Sequence, residues 1–427
     1  MDTEIMLGRL LEAGHTIVPE ESEADCVAVN TCSFIEPAVT ESIDVMLEMG
    51  AWKQQCEGRR LIVVGCLPQR YGVDLAKAMP EVDVFLGTGA FERIVGAAEG
   101  SLNGRRIVLP DPGQVPIQDS SLPRFYTTAP HTAYLKIAEG CSNRCTYCII
   151  PKLRGPHQSR PMAQVLSEAT IIVESGDKDL ILVAQTTTAY GKDLGLGYGL
   201  EHLLERLTHI SRLAWVRILY GHPDHVTESL IEVIASHDEL CSYFDIPIQH
   251  ISQPILKRMG RRNNSAAIFE LFEGIRRKIP DAALRTTLMV GFPGESDHDF
   301  ESLLDLVERV RFDHLGAFVY SNETDLPSNV LKNHVPDTVK QERFDRLMSR
   351  QAEISKENNQ KYVGKTLQVL VEGPAEGTDS LLKGRTYFQA PEIDGLVYIH
   401  EGSAEPGTFT HVRIAEAYEY DLRGAIV

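Results

Sequence analysis

The sequence has no run of eighteen apolar residues, the length an α-helix needs to cross a bilayer, so no membrane-spanning helix is expected. Its first residues, MDTEIMLGRLLEAG, lack the basic-then-apolar pattern of an export signal, and a cytoplasmic protein is the expectation. Basic residues are in short supply: 42 Lys and Arg stand against 60 Asp and Glu, a formal net charge of −18. Phosphate backbones are bound by Lys and Arg that displace counterions. Bare nucleic acid is therefore an unfavourable partner and a basic protein a favourable one. Eight cysteines in 427 residues without an export signal read as metal or redox ligands rather than a disulfide framework. What remains, 43% hydrophobic and 24% charged, is an ordinary globular composition, long enough for two or three domains.

Hydrophobic periodicity divides the chain. Residues 1–110 alternate helix and strand: MDTEIMLGRLLEAG reads as an amphipathic helix, DCVAVN (25–30) as a buried strand, EPAVTESIDVMLEMG as a helix, then RRLIVVGC (59–66) and VDVFLGT (82–88) as strands. Such alternation predicts an α/β domain with a parallel sheet covered on both faces. Residues 111–130, rich in Pro, Ser and Asp, read as a linker. From 131 six strand candidates follow (132–139, 180–186, 215–220, 243–249, 284–292, 315–321), with helical windows at 161–175, 199–211, 227–237, 264–278 and 297–311. Six β/α units predict a parallel barrel, incomplete, with its chemistry at the C-terminal strand ends. Residues 336–362 form a long polar helix that closes this barrel domain, 131–362, as a connector. The short β runs of 363–427 predict a small antiparallel β-barrel.

CSNRCTYC places Cys141, Cys145 and Cys148 at C-x3-C-x2-C spacing just after a strand. A structural zinc site of this kind wants a second C-x2-C hairpin, which the chain lacks. The ferredoxin run has a different spacing and a further cysteine. A 4Fe-4S cube held by three thiolates, with one iron left open, fits. An open iron can chelate the amino and carboxylate groups of S-adenosyl-L-methionine, and an electron passed into the sulfonium releases a 5′-deoxyadenosyl radical. In this loop the sequence resembles the radical S-adenosylmethionine superfamily. The resemblance implies that Tyr147 sits beside the adenine and that Gly291, Phe292, Pro293, Gly294 and Glu295 (GFPGE) line the S-adenosylmethionine site. Without it, Tyr147 is a packing residue and GFPGE a turn whose glycines allow close approach. Gln249 and His250, ending DIPIQH, and Gln185 in AQTTTAYGKDL are further polar strand-end residues aimed at the barrel mouth.

Cys32 in VNTCSF and Cys66 in VVGCLPQRY each follow a buried strand, and in a parallel sheet those ends share an edge. VNTCSFIEPA, GCSNRCTYC, DIPIQHIS and VGFPGE together resemble the methylthiotransferase family over essentially the whole chain. The resemblance implies an N-terminal domain with an auxiliary 4Fe-4S cluster, a radical barrel and a C-terminal TRAM barrel. The implied reaction replaces C–H by C–SCH3, with one S-adenosylmethionine giving the radical and another the methyl group. The family holds its auxiliary cluster with three cysteines, the first in a Gly-Cys-Pro-type turn. Here Met1-Asp2-Thr3-Glu4 already matches the helix after that turn, so the start reads as truncated or misassigned. Alternatives are substitution by Cys26, inside a strand, or a degenerate domain. Two thiolates hold a cube poorly, so one cluster is expected to load well and the second badly. Cys56 and Cys241 read as buried small hydrophobes.

The substrate divides this family. SFIEPA and APEIDG (390–395) resemble the branch that modifies an aspartate of small-subunit ribosomal protein S-twelve. Residues 363–427 hold five basic residues against ten acidic ones. A module for tRNA should be basic, whereas an acidic one suits a basic protein. The tRNA-adenosine branch stays open as an alternative, and so does a non-catalytic electron-transfer protein. An electron donor is implied as a partner, with a sulfur source or helper protein left open.

Overall fold

The computed structural model describes residues 1–115, 123–129, 131–195 and 197–427, and part of the 111–130 linker reading lies outside the described residues. The chain forms two compact units. The first comprises Met1–Thr127, Ala138–Arg160 and Glu323–Leu326; the second comprises Thr128–Ile137, Pro161–Asn322 and Pro327–Val427.

In the first unit, strands Cys26–Thr31, Arg60–Gly65, Val84–Leu86 and Ile107–Val108 make a parallel sheet in that order. Successive side chains of a strand point to opposite faces. Leu61 and Val63 accordingly pack with Val29, Met46 and Phe85 on one face. Ile62 and Val64 pack with Ile5, Met6 and Ile94 on the other. Burial on both faces explains why RLIVVG is apolar throughout rather than alternating. The helix Cys66–Ala78 and the strand Ile107–Val108 are absent from the sequence expectation. Pro68, in the first turn, is tolerated there, and Gly72 (φ 51°) kinks the helix and breaks its periodicity. Ala138–Glu139 pairs antiparallel with Gln158–Ser159 and closes a loop that carries the helix Ile150–Arg154.

The second unit holds six parallel strands in two three-stranded sheets. Thr132–Lys136, Asp179–Val183 and Trp215–Ile218 form one; Tyr243–Asp245, Ala283–Val290 and His314–Val319 form the other. A single parallel bridge, Val216 to Leu240, joins them, giving the partial six-stranded barrel that the periodicity predicts. The strands are shorter than read; Tyr243–Asp245 stops before Pro247, which cannot donate to a ladder. Helices Met162–Glu174, Leu200–Leu207, Glu228–Ser236, Ser265–Lys278 and Asp297–Val310 alternate with them, and Gln253–Arg258 adds a short one. No helix among the described residues is long and apolar enough to cross a membrane.

Strands Thr366–Ala375, Thr378–Arg385, Val397–Glu401, Leu422–Ile426 and Phe409–Ala417 close a five-stranded barrel in that order. The expectation of a wholly antiparallel barrel is corrected here, because Val397–Glu401 and Leu422–Ile426 run parallel. A closed ring with an odd number of strands cannot alternate direction all the way round, so one pair must be parallel. Cys56 is also corrected: it is exposed in the turn after Glu36–Gln54, whereas Cys241 is buried as expected.

The barrel is fixed within this unit by a buried charge cluster. Arg385 donates to Asp179 (2.9 Å), Thr132 Oγ1 (3.1 Å) and the Gln389 carbonyl (3.1 Å), and pairs with Glu372. Arg385 and Asp179 side chains are both fully buried. Burial opposes the Arg385 charge, but Asp179 and Glu372 outweigh it and raise its pKa. Removing one partner of a buried pair costs about 3–5 kcal/mol, because the other charge is stranded. Arg385→Met is expected to destabilise the second unit by that order, and Asp179→Asn added to it to recover part. Urea unfolding followed by Trp215 fluorescence in a Trp52→Phe background measures both.

Candidate functional site

Register decides the first cysteine pair. Thr31 lies opposite Gly65 in the parallel ladder, so Cys32 and Cys66 leave adjacent strands at the same level. Gly65 has φ 102°, and a Cβ there would stand 2.7 Å from the Thr31 carbonyl oxygen and from Asn30 Oδ1. Only glycine allows this approach. Thr31 Oγ1 ties the two turns by donating to the Val64 carbonyl (2.7 Å) and accepting from Leu67 N–H (3.3 Å). Cys32 is exposed and Cys66 half-buried. Burial pushes the Cys66 thiol above its ordinary pKa, and Arg154 pulls it back. Cys26 packs against the core of one sheet face, and burial raises its thiol to about 11, which suits a small hydrophobe better than a ligand.

Cys141, Cys145 and Cys148 sit in the loop 138–160 of the same unit. Cys141 N–H donates to the Gly155 carbonyl (3.0 Å) and Cys148 N–H to the Cys145 carbonyl (3.2 Å), so the backbone is tied at both ends of the motif. Gly140 (φ 74°) is required as well, since a Cβ there would stand 2.2 Å from the Pro156 carbonyl oxygen. Ile149 and Leu153 behind the motif pack with Leu326, and Cys66 lies against this cluster. Arg154 bonds Asp2 (3.1 Å) and Glu139 (3.2 Å). Burial works against its charge, yet those two carboxylates hold it well above the ordinary value. As the side chains stand, no three of the described His, Cys, Asp and Glu groups are gathered around a metal position. In donor chemistry the motif fits an iron–sulfur cube: three thiols in one backbone-anchored loop of eight residues, with no fourth among them.

In the second unit the expected residues follow strand ends. Gln185 comes two residues after Asp179–Val183. Gln249 has φ 77°, an uncommon value for a residue with a Cβ, held by Gln249 N–H donating to the Thr287 carbonyl (2.9 Å). His250 is fully buried; its Nδ1 accepts from Ser252 N–H (2.9 Å), and its Nε2 lies 3.4 Å from Glu295 Oε2. Glu295 is spent internally. It accepts from Gly291 N–H (2.8 Å) and Phe292 N–H (3.4 Å), and pairs with Arg343 (2.7 Å). The Phe292 ring is buried edge-on against Tyr320 at 5.1 Å. Gly294 N–H donates to the Asn333 carbonyl (2.7 Å) and Glu295 N–H to the Phe292 carbonyl (2.9 Å), so the N–H groups of Gly291–Glu295 are committed inside, and two of its side chains build the turn. Asp394 of APEIDG is buried too, bonded to Tyr243 (2.6 Å), so that acid is a packing element, while Glu392 of the same motif is exposed.

Two residues escaped the sequence reading. Arg154 carries no motif of its own. His222 follows the strand Trp215–Ile218 in GHPD; its Nε2 lies 3.0 Å from Arg261 Nη1. Burial, with Arg261, His225 and Lys192 nearby, lowers it to about 3, so the ring is neutral. A polar pair after a strand end was the available signal.

The chain matches the radical SAM superfamily over residues 135–307, the TRAM domain over 363–427 and the uncharacterized protein family UPF0004 over 1–87. It is 47% identical to the ribosomal protein uS12 methylthiotransferase RimO of Citrifermentans bemidjiense, across 100% of this chain and 95% of that protein. The protein of that name from Geobacter sulfurreducens is 48% identical across 100% and 96%. Among solved structures, the radical S-adenosylmethionine methyltransferase TsrM of Kitasatospora setae shares the fold at a TM-score of 0.55 and 14% identity, covering 77% of this chain and 73% of that one. With relatives this similar along its whole length, the chain belongs to the RimO family of radical S-adenosylmethionine methylthiotransferases.

Proposed function

We propose that this protein replaces a C–H bond by C–SCH3 on the β-carbon of an aspartate in ribosomal protein uS12. The carrying observation is the 47–48% identity to uS12 methylthiotransferases over all of this chain and 95–96% of theirs, with CSNRCTYC intact. Cys141, Cys145 and Cys148 would hold a 4Fe-4S cluster, and Cys32 and Cys66 would be donors to a second. When bound, the first cluster supplies the electron that cleaves S-adenosylmethionine and so opens the C–H bond to attack.

The chain's own residues bind, orient and exclude water. Gly291–Gly294 would line the cofactor site as a shaped turn, which Glu295 fixes by accepting two of its N–H groups. His250 stands behind Glu295, while Gln249 is held at its strand end in a conformation most side chains avoid. Tyr147, between the last two ligands, would pack on the adenine, and Gln185 would add a polar contact. The sequence division stands as part of this reading: 1–110 for the auxiliary centre, 131–362 for the radical barrel and 363–427 for TRAM. The excess acid of 363–427 favours a basic protein over tRNA as the substrate. An electron donor is required as a partner, and the site of action would be the cytoplasm.

Anaerobic incubation with S-adenosylmethionine, a reductant and either uS12 or tRNA, read by mass spectrometry, should add one SCH2 unit to the protein alone. Cys141→Ala, Cys145→Ala or Cys148→Ala should abolish both 5′-deoxyadenosine and product; surviving cleavage would refute the ligand assignment. Cys32→Ala or Cys66→Ala should spare 5′-deoxyadenosine and stop sulfur insertion. Reconstitution should load about four irons per chain on the triad. About eight would show that the Cys32–Cys66 edge, with a further donor, also holds a full cube.

A further inference from the structure

The four residues Glu323–Leu326 follow a barrel strand by more than two hundred and fifty residues from Cys66, yet they belong to the first unit. Three of them, Glu323, Asp325 and Leu326, have a defined task there. The Glu323 carboxylate accepts from Glu36 N–H (2.9 Å) at the start of the helix after the Cys32 turn, and its other oxygen pairs with Arg70 (2.8 Å). Arg70 lies one helical turn after Cys66, on the helix Cys66–Ala78. Its guanidinium is 4% exposed; it donates to the Ser33 carbonyl (2.6 Å) and grips Asp325 through Nε (3.2 Å) and Nη2. The Asp325 carbonyl accepts from Lys152, four residues past Cys148. Leu326 packs on Ile149 and Leu153, beside Cys66. One short segment thus touches the turn of Cys32, the helix headed by Cys66, and the helix behind Cys141–Cys148.

We propose that Arg70 and Glu323 are positioning residues, whose buried ion pair locks the Cys32 turn and the Cys66 helix in register with the loop of Cys141, Cys145 and Cys148. The physical reason is that Cys32 leaves an edge strand with an exposed side chain; Ser42 Oγ holds its carbonyl (3.0 Å), and the residues that follow, Ser33 and Glu36, are held by Arg70 and Glu323. The carboxylate and guanidinium supply that restraint from both sides, at Glu36 N–H and at the Ser33 carbonyl. Arg70 bonds Glu323 once, away from solvent, while its two bonds to Asp325 fix the plane of the guanidinium, so the buried pair is directional, unlike a surface ion pair. The consequence rests on the proposed function: transfer of sulfur needs both cysteine sites at a fixed separation, while cleavage of S-adenosylmethionine needs the triad alone.

Two measurements test it, and the first needs no activity. In the iron-free full chain, Glu323→Ala and Arg70→Met should speed amide exchange at 32–37 by about tenfold or more, as loss of a buried charged hydrogen bond implies. Peptides from Arg60–Gly65 should not change. Glu323→Gln, which keeps an acceptor, should fall between. Unchanged exchange at 32–37, or faster exchange throughout the unit, overturns the proposal whatever the chain catalyses. In the reconstituted enzyme, the same variants should keep 5′-deoxyadenosine formation within about twofold and lose methylthiolated product by about tenfold or more. Cleavage and product falling in parallel would equally overturn it. A wild-type enzyme that makes no methylthiolated uS12 would count against the proposed function and leave the exchange result to decide this inference.

Discussion

Parallel strand pairing is the constraint on which both units depend. In a parallel sheet every strand delivers its following residue to the same edge. The Thr31–Gly65 pairing makes neighbours of Cys32 and Cys66, thirty-four positions apart in the chain. In the second unit Gln185, Gln249 and Gly291 all follow strands of the parallel sheets. Antiparallel pairing would have sent alternate strand ends to opposite edges and scattered both sets. Parallel strands must also be covered on both faces, and the two apolar clusters around Leu61–Val64 meet that need.

Where ladders end, buried ions take over as the source of specificity. Arg385 with Asp179, Arg285 with Asp245, and Arg343 with Glu295 each place a guanidinium on a buried carboxylate. Such pairs add little net stability over apolar packing, but they penalise any other arrangement, because a slipped register strands a charge. The Glu295 case shows this at the glycine turn. Its carboxylate is committed to Gly291 and Phe292 N–H groups and to Arg343, so the glycine turn has one shape available.

Legibility in the sequence followed locality. Cys141–Cys148 was readable because its donors lie within one loop, and the six barrel strands because each is a short apolar run between turn signals. The strand–helix period was equally plain. The odd ring of five strands was not, since strand direction is a property of closure that no single run contains. The helix Cys66–Ala78 was hidden by Pro68 and Gly72, each of which lowers helical propensity while the fold overrides it. Glu295 was read from its motif as a cofactor group; only packing reveals that its carboxylate, like that of Asp394, is spent inside. Arg70 and Glu323 were beyond reach for the same reason, since their pairing spans 253 positions.

That difference in locality carries into how the two cysteine sites relate to folding. The triad loop is tied within itself, Cys141 to Gly155 and Cys148 to Cys145, and is held from outside by Asp2, Asp325 and Leu326. The Cys32–Cys66 edge is assembled from more distant parts. It needs the sheet register, the Gly65 approach to Thr31, and four residues contributed from after the last barrel strand. Closing so long a chain segment onto the edge carries an entropic cost that rises only slowly with length, and a few buried charged bonds suffice to offset it. Both cysteine-bearing turns thereby take a restraint from Glu323–Leu326, a segment that follows the last barrel strand.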